Sequence, residues 1–354
     1  MVFLTFNIMD NSTSDYFITL SNKLSERQQV VVITGKIRNT KVSLRDNIIV
    51  LKWPTKHPVT AKDFWFLYKL VQKHKPTLMI SMFSFVNVFL IVGWLLRVPN
   101  RVAWIRTLSS QYEQKSYKVF RKSLIYKLAT NVIANSNATR KDIVDFFNIP
   151  ENKVFVLPNS VKDYGLLLKE VSTDKLKLLY VGRLHPSKGV DVLIWAFSKL
   201  LNKFPNLRLD IIGQGEILQE LISQTHSLGI SDYVTFLGVK DKETVLRAYK
   251  ESYCTIIPSY SEAFGYTVIE AMSVGTCVIG ADNTGIKEII HHEKTGLLFE
   301  TGNSVDLENQ LARVITEPQF RNTICANGYK RFLNFYENSV AIDRDFNFFL
   351  SLQK

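Results

Sequence analysis

Ser259-Tyr260-Ser261-Glu262-Ala263-Phe264-Gly265-Tyr266-Thr267-Val268-Ile269-Glu270-Ala271 holds two glutamates with seven residues between them. The run Cys254-Thr255-Ile256-Ile257-Pro258 before it reads as the end of a strand, and the residues from Tyr266 read as a helix stopped by Gly275. Glu262 then stands in the loop ahead of the helix, and Glu270 about two turns in. The first-turn amides of Phe264, Gly265, Tyr266 and Thr267 have no intrahelical partner, which makes an anion site, and Gly265 allows close approach of a ligand. A carboxylate beside a phosphate site and another down the helix suit a ligand with hydroxyls at both ends of a diphosphate. A nucleotide sugar has that chemistry.

Upstream lies Leu178-Leu179-Tyr180-Val181-Gly182-Arg183-Leu184-His185-Pro186-Ser187-Lys188-Gly189-Val190-Asp191. A buried strand, Leu176–Val181, ends in Gly182 and Arg183, and a turn then opens a helix over Val190–Leu201. The carboxyl end of a parallel strand is where open α/β sheets bind ligands. Arg183 and Lys188 both reach that edge, where each charge-assisted contact to phosphate is worth roughly 1.5–3 kcal/mol. His185 reads as a turn residue. Gly213-Gln214-Gly215 after the strand Leu207–Ile212 lacks the third glycine of a dinucleotide fingerprint, since residue 218 is Leu, and reads as a tight turn.

Together these segments resemble the retaining glycosyltransferases of family 4, over about residues 131–335. The resemblance extends to Ile133-Ala134-Asn135-Ser136, Val156-Leu157-Pro158-Asn159-Ser160-Val161, Phe236-Leu237-Gly238-Val239 and Asn283-Thr284-Gly285-Ile286-Lys287-Glu288-Ile289-Ile290. It implies the α/β GT-B fold, two Rossmann-like domains whose parallel sheets face across a cleft. It further implies that Arg183 and Lys188 neutralise the donor diphosphate, that Glu262 touches the transferred sugar, and that Glu270 holds the ribose hydroxyls. Gly182, Phe264, Gly265, Tyr266 and Thr267 would line the donor, with Val239 and Lys240 in the base-contacting loop. The donor would be a UDP- or GDP-linked sugar, with no cofactor and no metal. The implied reaction is retaining transfer to a glycan or lipid-linked acceptor, in bacterial surface polysaccharide or glycolipid synthesis. The alternatives are a sugar-nucleotide epimerase and a non-catalytic sugar-nucleotide-binding partner subunit; acceptor-dependent release of nucleotide separates them.

The 354 residues suffice for two α/β domains, and short β-rich runs alternate with longer helical patterns. We read an acceptor-side domain over residues 1–160, a linker over 161–174 and a nucleotide-sugar-binding domain over 175–335. The tail, residues 332–354, reads as a helix, its part 336–354 returning to the first domain. Residues 78–96 carry no charge and are long enough to suggest a membrane span, but Ser81, Ser84 and Asn87 favour a strand over 77–82 and a helix over 83–96. Cys254, Cys277 and Cys325 have no ligand-like spacing and read as buried thiols in a reducing cytoplasm. The first residues look like a strand and not a signal peptide.

Charge is divided unevenly. Residues 1–170 hold 25 Lys and Arg against 11 Asp and Glu, a net of +14, which leaves −2 of the chain's +12 for the rest. The densest basic stretch is 97–127, where Arg101, Arg106, Lys115, Lys118, Arg121, Lys122 and Lys127 interleave with Trp104, Tyr112, Tyr117, Phe120 and Tyr126. Such a face suits an anionic lipid surface, hence a cytoplasmic protein peripheral to the inner face of the membrane. No nucleic-acid module accompanies the charge.

The N-terminal half departs from the family pattern. Paired glycines after the first strand are replaced by Ile8-Met9-Asp10-Asn11-Ser12-Thr13, in which Asn11 and Ser12 suit a turn and a helix cap. No histidine occupies the family's acceptor-side position. Val102-Ala103-Trp104-Ile105-Arg106-Thr107-Leu108 offers Arg106 there, which stays protonated and suits an anionic group of the acceptor.

Overall fold

The computed structural model describes residues 1–38, 42–55, 60–111, 116–165 and 176–353. Tyr112 and Lys115 of the basic stretch, and 166–174 of the expected linker, lie outside the described residues. The chain forms two units, Met1–Val161 with Asn338–Lys354, and Lys162–Glu337.

In the first unit strands and helices follow in the order β1 (Val2–Thr5), α1 (Ser12–Leu24), β2 (Val30–Thr34), β3 (Ile49–Lys52), α2 (Ala61–His74), β4 (Leu78–Met82), α3 (Val86–Leu95), β5 (Asn100–Ile105), α4 (Ser116–Tyr126), β6 (Asn131–Ala134), α5 (Asn137–Phe147) and β7 (Val154–Val156). The seven strands form one parallel sheet in the order β3-β2-β1-β4-β5-β6-β7. Every residue of β1, β2 and β4 is buried. Helices cover both faces of such a sheet, so these strands read as unbroken apolar runs. The uncharged stretch 78–96 is therefore β4, a single 3₁₀ turn at Phe83–Phe85 and the ten-residue α3. Among the described residues no helix is long and apolar enough to cross a membrane. At the start of α1 the Asn11 side chain accepts the Ser14 N–H at 2.9 Å, a cap worth about 1 kcal/mol.

The second unit continues with β8 (Leu176–Val181), α6 (Val190–Leu201), β9 (Leu207–Ile212), α7 (Leu218–Ser227), β10 (Val234–Gly238), α8 (Lys242–Glu251), β11 (Cys254–Ile257), α9 (Tyr266–Met272), β12 (Cys277–Ala281), α10 (Ile286–Ile289), β13 (Leu297–Phe299), α11 (Ser304–Thr316) and α12 (Pro318–Phe335). Its six strands are all parallel, in the order β10-β9-β8-β11-β12-β13. The chain winds outward from β8 through β9 and β10, then returns to the other side of β8 with β11. The point where the winding reverses lies between β8 and β11, and their carboxyl ends frame a crevice there. Cys254, Cys277 and Cys325 are buried and unbridged in this unit, and Cys254 faces Cys277 in register.

The tail is not one helix from residue 332. Residues 332–335 finish α12, Tyr336 and Glu337 interrupt, and α13 (Asn338–Ser351) belongs to the first unit. Its start is tied to that unit by the Ser160 hydroxyl donating to Asn338 Oδ1 at 2.9 Å and by the Asn338 N–H donating to the Val161 carbonyl at 3.0 Å. Ala341, Ile342 and Phe349 pack into the core beside α1, and the buried Tyr16 hydroxyl donates to Asp345.

Candidate functional site

The loops after β8 and β11 meet at the reversal point of the second sheet. After β8 the chain runs through Gly182 and Arg183, anchors itself on the buried Leu184, and turns at Pro186–Lys188. His185 Nδ1 accepts the Ser187 N–H at 3.1 Å and caps that turn. The Tyr260 N–H donates to the Ser187 carbonyl at 2.9 Å, which joins this loop to the one after β11. The join brings Lys188 Nζ to 2.5 Å from Glu262 Oε1, with the two side chains only 17% and 19% exposed. The Ser259 hydroxyl donates to the same carboxylate oxygen at 3.1 Å. The loop after β12 braces this one, as Asn283 Nδ2 donates to the Ser259 carbonyl at 2.5 Å and the Thr284 hydroxyl to the Glu262 carbonyl at 3.2 Å. Arg183 follows β8 in the same loop as Lys188, exposed and with no ion pair among the described residues, and its charge and that of Glu262 both act on the Tyr180 hydroxyl.

Glu270 lies just over one turn into α9, not two. Gly265 has φ +111°, outside helical space, so the helix begins only at Tyr266. Phe264 is buried with its ring against Tyr266 and Tyr336, so only its backbone can face a ligand. Behind Glu270 the fully buried Tyr249 donates its hydroxyl to Oε2 at 3.3 Å. The Thr267 hydroxyl donates to the Val181 carbonyl at 3.4 Å, and the buried Tyr180 hydroxyl to the Arg183 carbonyl at 3.0 Å. Burial, then the neighbouring glutamate charge, pushes both tyrosines up: Glu270 acts on Tyr249 and Glu262 on Tyr180. Both hydroxyls therefore stay protonated as donors.

Val239 and Lys240 are exposed just past β10, two strands from β8. That loop is held by the Gly213 N–H donating to the Gly238 carbonyl at 2.9 Å. A β-carbon on Gly213 would lie 1.8 Å from the Gly182 carbonyl oxygen, and one on Gly215 1.9 Å from that of Leu184. The glycine pair thus serves close packing of two loops. Arg183, Lys188, Glu262 and Gly182 come together; Glu270 joins them through α9, and Val239 and Lys240 stand further along the same sheet edge. Sequence reasoning missed Tyr180, Tyr249, Ser259 and Asn283 as supports. Tyr180 carries one signal, a lone hydroxyl in the run Leu178-Leu179-Tyr180-Val181.

In the first unit Arg106 Nη2 donates to Asn159 Oδ1 at 2.6 Å and its guanidinium lies 5.4 Å from the Phe17 ring centroid. The expected basic-aromatic face is smaller than its sequence span. Trp104 and Tyr126 are buried, and Arg101 donates to the Leu128 and Val98 carbonyls, so these three build the core and its edge. Tyr117, Phe120 and Leu124 of α4 remain 64%, 67% and 49% exposed, beside the exposed Arg121 and Lys127.

Two family models account for nearly the whole chain: Glycosyltransferase Family 4 matches residues 14–163, and Glycosyl transferases group 1 matches residues 169–331. An uncharacterized glycosyltransferase of Methanocaldococcus jannaschii is 33% identical over 212 residues, which is 56% of this chain and 54% of that protein. The chain spans about half the length of several curated relatives it matches. Among solved structures, sucrose-phosphate synthase from Thermosynechococcus elongatus superposes with a TM-score of 0.82 at 18% identity, over 99% of this chain and 98% of that one. HepE of Anabaena in complex with UDP-glucose superposes with a TM-score of 0.80 at 20% identity, over 99% of each chain. These likenesses show the GT-B fold.

Proposed function

The chain belongs to the family 4-like glycosyltransferases of GT-B fold, and from that premise we propose that it moves a sugar from a nucleotide-diphosphate sugar to a glycan or lipid-linked acceptor. The observation that carries the reading is the Lys188–Glu262 pair at the reversal point of the second sheet, with the exposed Arg183 in the same loop as Lys188. Two cations and a carboxylate at one sheet edge suit a diphosphate next to a hydroxylated ring. HepE, with the same fold, was solved with UDP-glucose, which favours a UDP- or GDP-linked donor.

In this mechanism Arg183 and Lys188 face the diphosphate, where negative charge grows as the bond to the anomeric carbon breaks. The acceptor oxygen attacks from the face the phosphate leaves, and the acceptor proton passes to the departing phosphate oxygen. The configuration is retained, and no protein nucleophile is consumed. Lys188 and Arg183 supply the positive charge, so the reaction as proposed requires no metal. Glu262 orients the lysine and accepts a hydroxyl of the transferred sugar, and Glu270 accepts from the ribose. The amides near Phe264, Gly265, Tyr266 and Thr267 meet the phosphates, and Val239 and Lys240 flank the base. Arg106 binds an anionic group of the acceptor; an Arg106→Ala enzyme with unchanged acceptor kinetics removes that assignment. The basic first unit holds the protein on the inner face of the membrane, where lipid-linked acceptors of surface polysaccharide or glycolipid synthesis are found.

A thermal-shift panel of nucleoside diphosphates tests the donor site, with wild type beside Lys188→Ala. A ligand at about a hundred times its Kd stabilises by roughly 2.7 kcal/mol. A shift for one base, reduced in Lys188→Ala, is the expected result; no shift with any nucleotide sinks the reading. Nucleotide release that rises on adding membrane lipid extract then separates transfer from epimerisation or mere binding.

A further inference from the structure

The turn that carries Lys188 is closed by an imidazole. Pro186 opens it and has no N–H, so the Ser187 amide is the first donor that needs a partner. His185 Nδ1 takes that N–H at 3.1 Å and lies 2.8 Å from the Ser187 hydroxyl. The Ser187 carbonyl is held from the other side by the Tyr260 N–H, and the Lys188 N–H donates to the His185 carbonyl at 2.9 Å. Both backbone groups of the residue before Lys188 are therefore tied, and one tie is a side chain. His185 has the extended backbone of an N-cap, φ −134° and ψ 147°. Ser, Thr, Asp and Asn are the favoured residues there. A histidine caps only while Nδ1 keeps its lone pair, because an imidazolium has two N–H groups and no acceptor. With Nδ1 accepting, the hydrogen bonds assign the proton of the neutral ring to Nε2. Nε2 lies 3.5 Å from Glu216 Oε1, which the loop after β9 brings in where Gly215 packs on the Leu184 carbonyl. The Nε2 side faces that carboxylate in both protonation states, so the change on protonation falls on Nδ1 and the cap. On the imidazole's own loop stand Arg183 and Lys188, the latter paired with Glu262, and the loop after β11 reaches the turn through the Tyr260 amide.

We infer that His185 is a positioning residue that holds Lys188 for the donor only while its imidazole is neutral, so that acidification weakens nucleotide-sugar binding by releasing the turn. The inference rests on the donor reading above and adds a regulation to that site. An uncapped turn visits conformations in which Lys188 is displaced, and binding must then order it again. The loss of an N-cap corresponds to about a three- to tenfold change in an equilibrium. Histidine changes charge between about pH 5 and 8. The opposing effect is the new positive charge, which by itself would draw an anionic diphosphate closer. The His185 side chain is 39% exposed and faces Glu216, so that charge is screened and partly neutralised, whereas the cap acts directly on the residue next to Lys188.

The test is titration calorimetry on the full chain at about pH 8 and about pH 5.5, for wild type, His185→Asn and His185→Ala. The probe is the nucleoside diphosphate glucose of whichever base the thermal-shift panel selects, because its diphosphate keeps the same charge across that range. Wild type should bind about three- to tenfold more weakly at the lower pH. Asn accepts the Ser187 N–H without titrating, so His185→Asn should bind better than His185→Ala at both pH values and lose little affinity on acidification. His185→Ala lacks the cap throughout and should bind as wild type does at the lower pH. A merely structural histidine would leave the two variants alike, each with the acid response of wild type. An acid loss in His185→Asn equal to that of wild type, or tighter wild-type binding in acid, overturns the inference while the donor site stands. Nitrogen NMR of the wild-type imidazole decides without any variant: Nδ1 should be unprotonated at the higher pH, and an Nδ1–H form there overturns the inference too. Absence of binding by every nucleotide of that panel takes down the donor reading and the inference together.

Discussion

A β-carbon on Gly189 would come within 2.1 Å of the Pro258 carbonyl oxygen, and Gly189 holds φ +63°. The loops after β8 and β11 are therefore joined through backbone, and Lys188 and Glu262 hang from that junction. Gly189→Ala should both strain the backbone and force the loops apart. Gly229 is the comparison, since it has φ +68° and a β-carbon there would meet nothing within 4 Å. Gly229→Ala should cost about 1 kcal/mol in urea unfolding, and Gly189→Ala about 1–3 kcal/mol more, with loss of nucleotide binding. Equal costs at the two positions would show that the junction yields easily.

Lys188 and Glu262 are each less than a fifth exposed, so their interaction is worth more than that of a surface pair. Lys188→Met and Glu262→Gln should each lower kcat by about 10²–10³, the range for removing a preorganised donor from a transition-state charge. Lys188→Arg should recover little, because a planar fork cannot replace a compact ammonium in a space shaped by Ser259 and Glu262. A double-mutant cycle in urea should give a coupling of about 0.5–3 kcal/mol. No coupling would mean that the pair is a surface contact.

Asp63 in the first turn of α2 accepts from Thr55 and Thr60. Burial works to raise its pKa, but the hydrogen bonds from Thr55 and Thr60 together outweigh it and hold the carboxyl below the usual aspartate value. A depressed folded pKa contributes stability that is present above the unfolded value, about 3.9, and is lost as pH falls through the lower folded value. Asp63→Ala should cost about 1 kcal/mol at pH 7, with the gap to wild type narrowing below pH ~4. A gap that stays constant on acidification would assign the loss to packing instead of charge.

The strand Leu176–Val181 and the helix Val190–Leu201 can be read from sequence to their ends because Gly182 and Gly189 punctuate them. Glu262 and Lys188 are legible for the same reason, since each stands in a loop between clear elements. The start of α9 at Tyr266 is legible too, and the depth of Glu270 is misread only in the count from it: at 3.6 residues per turn the fifth residue of the helix stands just over one turn in. The break at Tyr336 and Glu337 has no proline or glycine to announce it. It depends on Asn338 meeting Ser160 and Val161, residues nearly 180 positions away. Tyr249 cannot be found in the sequence at all: a tyrosine in the helical run Val245-Leu246-Arg247-Ala248-Tyr249 looks like ordinary core until its hydroxyl is seen on Glu270.

Tyr117, Phe120 and Leu124 fall at i, i+3 and i+7 of α4 and share one face, with Arg121 beside them. Each basic residue near an anionic surface adds about 1 kcal/mol, and burying an aromatic or leucine side chain adds roughly 1.5–3 kcal/mol. The two contributions respond differently to salt, because only the first is screened. Arg121→Glu should weaken binding to anionic phospholipid vesicles at low salt and matter little at ~0.5 M, where the Debye length is short. Phe120→Ser should weaken binding at both ionic strengths. Vesicle flotation with these two variants reads the difference directly. If neither variant changes flotation, the basic charge of the first unit acts elsewhere on its surface, and α4 is not the part that meets lipid.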